Sequence, residues 1–358
     1  MKLHLKSLFL LLFLLMITAG YGKQKPYFMM RGAVLSVPDL ESADWPRIAF
    51  ENGINTLGTH ITPDQVLRFW ESEKGRKFQA DCRKYGIEVE HQLHSMSILL
   101  PRNLFAVDST MFRMNEHGRR TADFNCCVSS ARALDTIASR ALYYARHLPA
   151  TNHRYYLWLD DCSLTCQCPD CSHLTASEQA LVIENRMIEA IRTYDPKAML
   201  AHLAYMPTLQ APRKVKPHKG IFLEFAPVHR RWDKPITDST AYVREMGNNA
   251  KNLAYLKENL EVFPAKTAVV LEYWLDVSLA SRYKKPAIEL PWHGDVFRSD
   301  IETYASMGIR NITTFAVYMD STYFSAYPDA YYLKEYGDAL ASFHPRKAGR
   351  KARQQAIK

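Results

Sequence analysis

The sequence predicts an α/β fold, a single-domain (β/α)8 TIM barrel, and three observations predict it. The chain has 358 residues with 47% hydrophobic and 23% charged positions, enough to bury one large core and too apolar for a disordered chain. Eight short runs rich in β-branched and aromatic residues are spaced along it, and an amphipathic stretch follows all but the run at 199–205. Strand followed by helix, eight times, is the count of a closed barrel, the alternative being a doubly wound open sheet.

In chain order the expected strands are 28–34, 54–60, 87–93, 155–159, 199–205, 221–226, 268–274 and 312–317. Helices are expected at about 63–85, 129–147, 175–194, 240–260, 298–307 and 329–342, with a short one near 43–52. Thr62-Pro63 supplies a cap followed by proline at the first helical position, and Thr175-Ala176-Ser177-Glu178 reads as a capping box. Repeats and low-complexity linkers are not visible, so residues 23–345 read as one domain.

The ends of the chain read differently. Lys2 and Lys6 precede an apolar run at 8–17 and the small residues Thr18-Ala19-Gly20, the pattern of a secretory signal over 1–22 cleaved after Gly20 or Gly22. Ten apolar residues are too few to cross a bilayer, so no membrane span is expected and the mature protein is expected to be periplasmic or extracellular. The net charge is +9, but two basic residues lie in that signal and six in the tail 346–358. What remains is 38 basic against 37 acidic residues, so the folded body lacks the basic excess of a nucleic-acid binder.

A barrel turns sequence position into a map, because its active sites lie at the carboxyl ends of the strands. Here those ends carry acids and aromatics: His60; Glu90, His91 and His94; Asp160 and Asp161; Tyr205; Glu224, followed by Arg230 and Arg231; Glu272, Tyr273, Trp274 and Asp276; Tyr318 and Asp320. Carboxylates perform glycosidic chemistry and aromatic faces stack on sugar rings, so the expected partner is an oligo- or polysaccharide.

The sharpest motif is Trp158-Leu159-Asp160-Asp161. Strand alternation places Trp158 and Asp160 on the inward face and turns Asp161 over the rim. Adjacent carboxylates repel, which raises one pKa and suits a general acid. Asp160 and Asp161 are therefore catalytic candidates, in the manner of glycosidases whose substrate supplies a 2-acetamido nucleophile. Glu224 and Glu272 are the alternative carboxylate pair. His60, His91, Trp158, Tyr205, Tyr273, Trp274, Asp276 and Tyr318 are the expected sugar contacts. Arg230 and Arg31 join them under a third reading, an α-glucuronidase-like enzyme in which Arg31, Arg230 and Arg231 pair with a uronate. A non-catalytic carbohydrate-binding barrel is the remaining alternative.

Directly after the acid pair comes Cys162-x3-Cys166-x-Cys168-x2-Cys171, and Cys82, Cys126 and Cys127 complete seven cysteines. Cys127 with Cys166, Cys168 and Cys171 fits a tetrahedral structural zinc site, while an exported chain also permits disulfides. Either would brace the loop that carries Asp160 and Asp161. Catalysis is expected to need no cofactor.

The runs Trp158-Leu159-Asp160-Asp161, Cys166-Gln167-Cys168-Pro169-Asp170-Cys171, Ser177-Glu178-Gln179 and Leu203-Ala204-Tyr205 resemble the secreted bacterial family called domain of unknown function 4838. Met111-Phe112-Arg113, Gly118-Arg119-Arg120, Glu224-Phe225-Ala226-Pro227 and Glu272-Tyr273-Trp274-Leu275-Asp276 extend the resemblance over most of 28–340. It implies a glycoside hydrolase-type barrel of polysaccharide-using bacteria and assigns no catalytic residue. Cys126 and Cys162 look like additions to the family pattern.

Overall fold

The computed structural model describes residues 25–244 and 247–345. The signal expected at 1–22 and the basic tail at 346–358 lie outside the described residues. Eight parallel strands close into a barrel: β1 (Met30–Ser36), β2 (Thr56–His60), β3 (Glu88–His94), β4 (Arg154–Trp158), β5 (Met199–Ala204), β6 (Ile221–Phe225), β7 (Val269–Glu272) and β8 (Asn311–Phe315), with β1 pairing β8 to complete the ring. Each expected strand is present, shifted by one or two residues at its ends.

Alternation along the strands builds two apolar layers. Met30, Val34, Tyr156, Trp158, Phe222, Val269, Leu271 and Phe315 pack inside the barrel. Ala33, Leu35, Leu57, Val89, Leu93, Leu157, Leu223 and Val270 point outward into the layer shared with the helices. Strands buried on both faces are the condition for an all-parallel sheet. Among the helices, Ala131–His147 and Ala176–Ile191 pack side by side against the β4 and β5 wall. Thr175 and Glu178 form the expected capping box at the start of the second.

Two helix expectations are corrected. The stretch 63–85 is two helices, Pro63–Glu71 and Glu73–Tyr85, because Ser72 is extended and its hydroxyl caps the second by accepting the Gly75 amide at 3.0 Å. A side chain at Gly75 would lie 1.9 Å from the Phe69 carbonyl, so the tight corner requires that glycine. The helix expected over 240–260 is Asn249–Leu260 only. Before it, Tyr242–Val243 pairs antiparallel with Gly247–Asn248, and Asn248 caps the helix through the Lys251 amide at 3.0 Å. Among the described residues, no helix is long and apolar enough to cross a membrane.

Candidate functional site

At the carboxyl ends of the strands lies a cavity of about 280 Å³. β4 places Trp158 on its floor, and β8 and β7 add Phe315 and Leu271. Its rim carries Asp161 after β4, Tyr205 after β5, Tyr273 and Asp276 after β7, and Tyr318 after β8. His60 and His94, from the ends of β2 and β3, complete the polar wall. Of the expected contacts, the structure therefore brings His60, Trp158, Tyr205, Tyr273, Asp276 and Tyr318 together with Asp161.

Each histidine is fixed by a backbone carbonyl. His60 Nδ1 lies 2.7 Å from the Gln92 carbonyl, and His94 Nδ1 lies 2.9 Å from that of Leu159. A carbonyl only accepts, so each ring donates from Nδ1. Burial pushes the His60 pKa down to about 3, which keeps that ring neutral.

Asp161 is exposed and accepts the Tyr205 hydroxyl at 3.1 Å. Asp276 is buried and caps the short helix Val277–Ala280: Oδ1 accepts the Ser278 hydroxyl at 2.6 Å and the Leu279 amide at 3.1 Å. Burial raises its pKa, and the bonds from Ser278 and Leu279 oppose that rise. Burial also raises the Tyr205 hydroxyl pKa, and the neighbouring Asp161 adds to the shift.

The expected acid pairs are not assembled. β4 ends at Trp158, so alternation does not carry on to Asp160, which faces away from the cavity. It is held there by an ion pair with Arg102 and by the Asn125 amide at 2.6 Å. Glu224 does point inward, but it lies below the floor with no exposure and accepts the Trp158 indole N–H at 2.7 Å. Burial raises its pKa well above the usual carboxylate range. Glu272 points outward from β7, where Arg230 donates to it at 2.9 Å and the Tyr304 hydroxyl also reaches it. Arg230 binds Asp300 as well at 2.8 Å, so two buried acids share one guanidinium, and burial pushes the Glu272 carboxyl up to about 7.

Four other expected contacts stand elsewhere. Trp274 is on the outer face beside Glu272, donating to Asp300 at 3.2 Å and packing on Phe297. His91 also points outward, bonded to Thr59 at 2.8 Å and edge-on to Trp70. Arg31, near the start of β1, is committed to the Gly53 and Phe28 carbonyls at the opposite end of the barrel. Arg230 is buried with its acids, and Arg231 pairs with Asp233 at the surface, so the three arginines do not converge on a uronate.

The structure adds residues absent from the expected contacts. His94 closes the wall with its ring 5.1 Å from that of Trp158. Tyr283, from the loop after Val277–Ala280, covers the cavity, and its backbone carbonyl accepts the Tyr318 hydroxyl at 3.3 Å. His94 stands at a strand end and shares its parity with Gln92. Tyr283 comes from a loop with no local signal.

Behind Asp160 and Asp161, the sulfurs of Cys127, Cys166, Cys168 and Cys171 lie within 4.8 Å of one another, all buried. Cys127 Sγ is 3.7 Å from Cys168 and 3.8 Å from Cys171. A tetrahedral metal with bonds of about 2.3 Å has sulfur–sulfur edges of about 3.8 Å, so the cluster can hold a structural metal such as zinc. The Met114 amide and the Arg120 guanidinium also point at Cys166 Sγ, at 3.3 and 3.8 Å, as donors to a thiolate would. The disulfide alternative is corrected: the seven cysteines are free, and these separations far exceed a bonded pair.

A parallel eight-stranded barrel with an acid- and aromatic-lined cavity at its strand ends defines a TIM barrel of the kind that carries active sites there. The chain belongs to the family described as domain of unknown function (DUF4838), whose model matches residues 35–271. Among curated proteins, none matches its sequence. A β-galactosidase from the psychrophilic Marinomonas ef1 shares the fold with a TM-score of 0.56 at 11% identity, over 87% of this chain and 59% of the other. An O-GlcNAc hydrolase from Thermobaculum terrenum aligns with a TM-score of 0.48 at 10% identity, over 92% of this chain and 63% of the other. A GH5-4 broad-specificity endoglucanase from an uncultured bacterium aligns with a TM-score of 0.47 at 10% identity, over 85% of each chain. The chain thus spans about six-tenths of the length of the first two.

Proposed function

We propose that the protein is an exported glycoside hydrolase that takes a terminal sugar ring into the cavity above Trp158. One observation carries this reading: a polar wall of two carboxylates, two histidines and four tyrosines stands over an aromatic floor in one strand-end cavity. At about 280 Å³ the space is near the lower limit of small-molecule sites and suits one ring better than a long chain. Trp158 and Phe315 would cover an apolar ring face, His60 Nε2 would accept a ring hydroxyl, and His94 would bond another.

Asp161 and Asp276 take the two carboxylate roles. The raised pKa of Asp276 suits a proton donor to the leaving oxygen. Asp161, exposed and oriented by Tyr205, would act as base or charge stabiliser on the other side of the ring. Asp160 then positions the loop through Arg102. Zinc in the four-cysteine cluster would tie the segment at Cys127 to the loop at Cys166–Cys171 and so hold Asp161 in place. The signal-like segment 1–22 supports export.

A second reading, a binding barrel without chemistry, is favoured by the withholding of Glu224, Glu272 and Asp160 from the cavity. Mixed glycan fragments incubated with wild type, Asp161→Asn and Asp276→Asn separate the two by mass spectrometry. Cleavage by wild type that both variants lose supports the hydrolase; binding without cleavage by wild type supports the alternative.

A further inference from the structure

A second cavity, of about 580 Å³, adjoins the first and shares His60, Ile61, Val317 and Tyr318 with it. These four side chains border both spaces, which lie side by side from the β4–β5 rim to the β1–β2 rim. Two short helices build the outer half. Val37–Ser42 presents Pro38 and Glu41, and Pro63–Glu71 presents Gln65, Arg68 and Phe69. Spacings of three and four residues put each set on one helix face.

The chemistry of that face is specific in kind. Glu41 and Gln65 are exposed and make no hydrogen bond to any described residue, and Arg68 is engaged only by Asp64, at 3.0 Å. An acceptor, a mixed donor–acceptor and a donor thus stand over an apolar base of Val37 and Pro38. One acid against one base leaves no charge excess for a polyanion. A polyhydroxylated ring has the matching alternation of hydroxyl edges and C–H faces.

We infer that this outer half is a second sugar subsite, so that the ligand is an oligosaccharide whose end ring enters the cavity above Trp158 while the next ring lies across Val37 and Pro38. The inference rests on the glycan reading of the inner cavity. It makes the border at His60 and Tyr318 the place where the linkage crosses.

Isothermal titration with N-acetylglucosamine, glucose and galactose, each beside its β-1,4-linked dimer and trimer, tests it on wild type and on a Glu41→Ala/Gln65→Ala variant. Both substitutions are at exposed positions, and an unchanged melting temperature confirms folding. In one series the dimer should bind wild type about tenfold or more tightly than the monomer. The double variant should lose about five- to tenfold for the dimer and nothing for the monomer. Equal affinities for monomer and dimer, or equal losses for both in the variant, overturn the subsite and leave the inner-site reading standing. Binding of no sugar in any series overturns both.

Discussion

Trp158 donates its indole N–H to Glu224 at 2.7 Å, so the aromatic floor of the cavity is anchored to an acid sealed inside the barrel. The acid is fully buried and its second oxygen has no partner, so its worth lies in holding the tryptophan and not in reaching a substrate. This relationship explains how a glutamate at the end of a barrel strand can stand outside the chemistry.

Glu224→Gln keeps an acceptor for the indole and should change stability by less than about 1 kcal/mol. Glu224→Leu strands the buried N–H and should cost about 1–3 kcal/mol in urea unfolding, with a shift in tryptophan emission. Equal stabilities for the two variants would show that the bond does not anchor Trp158.

Asp160 and Asp161 are adjacent yet should separate cleanly. Asp160→Asn loses the charge that binds Arg102 and weakens the acceptor for the Asn125 amide, so it should destabilise by about 1–3 kcal/mol. Asp161→Asn should leave the melting temperature unchanged and lower turnover by about 10²–10⁴-fold. Thermal melts beside product formation measure both effects.

The cysteine cluster predicts one tightly held metal per chain, read by elemental analysis of the purified protein. Cys168→Ser or a strong chelator should remove it and lower the melting temperature by roughly 5 °C or more. Metal-free protein with the same melting temperature would exclude the structural role.

Glu272 gives stability a pH dependence of known sign. Burial pushes its carboxyl up to about 7, so the folded state holds a proton that the unfolded state has released above about 4.5. More protons bound in the folded state means that stability falls as pH rises through this window, by up to about 1.4 kcal/mol per pH unit, and levels off above 7. His60 and His91, held neutral by burial with pKa values of about 3, add the opposite slope to both proteins, so urea midpoints at pH 5, 6 and 7 should show wild type losing stability relative to Glu272→Gln as pH rises.

The barrel was legible because β-branched runs, buried on both faces, alternate with helical stretches of the right length. The site was legible in its location but not in its facing. Glu272, Tyr273 and Trp274 cannot all point inward from one strand, and the structure turns Tyr273 in and its two neighbours out. Parity at Tyr273 would have removed Glu272 in advance. At Asp160 the period-two rule failed for another reason: the strand stops at Trp158, and contacts to Arg102 and Asn125, distant in sequence, set the direction of the next residues. Tyr283 reaches the cavity on a loop whose path depends on tertiary packing, and no local pattern marks it.

The most direct test of the central claim is a crystal structure of Asp161→Asn soaked with a glycan fragment. The account predicts a ring stacked over Trp158, with its hydroxyls on His60, His94 and Tyr205 and its glycosidic oxygen beside the Asp276 carboxyl. A ring bound elsewhere, or one that leaves the Trp158 cavity empty at saturating sugar, would contradict it.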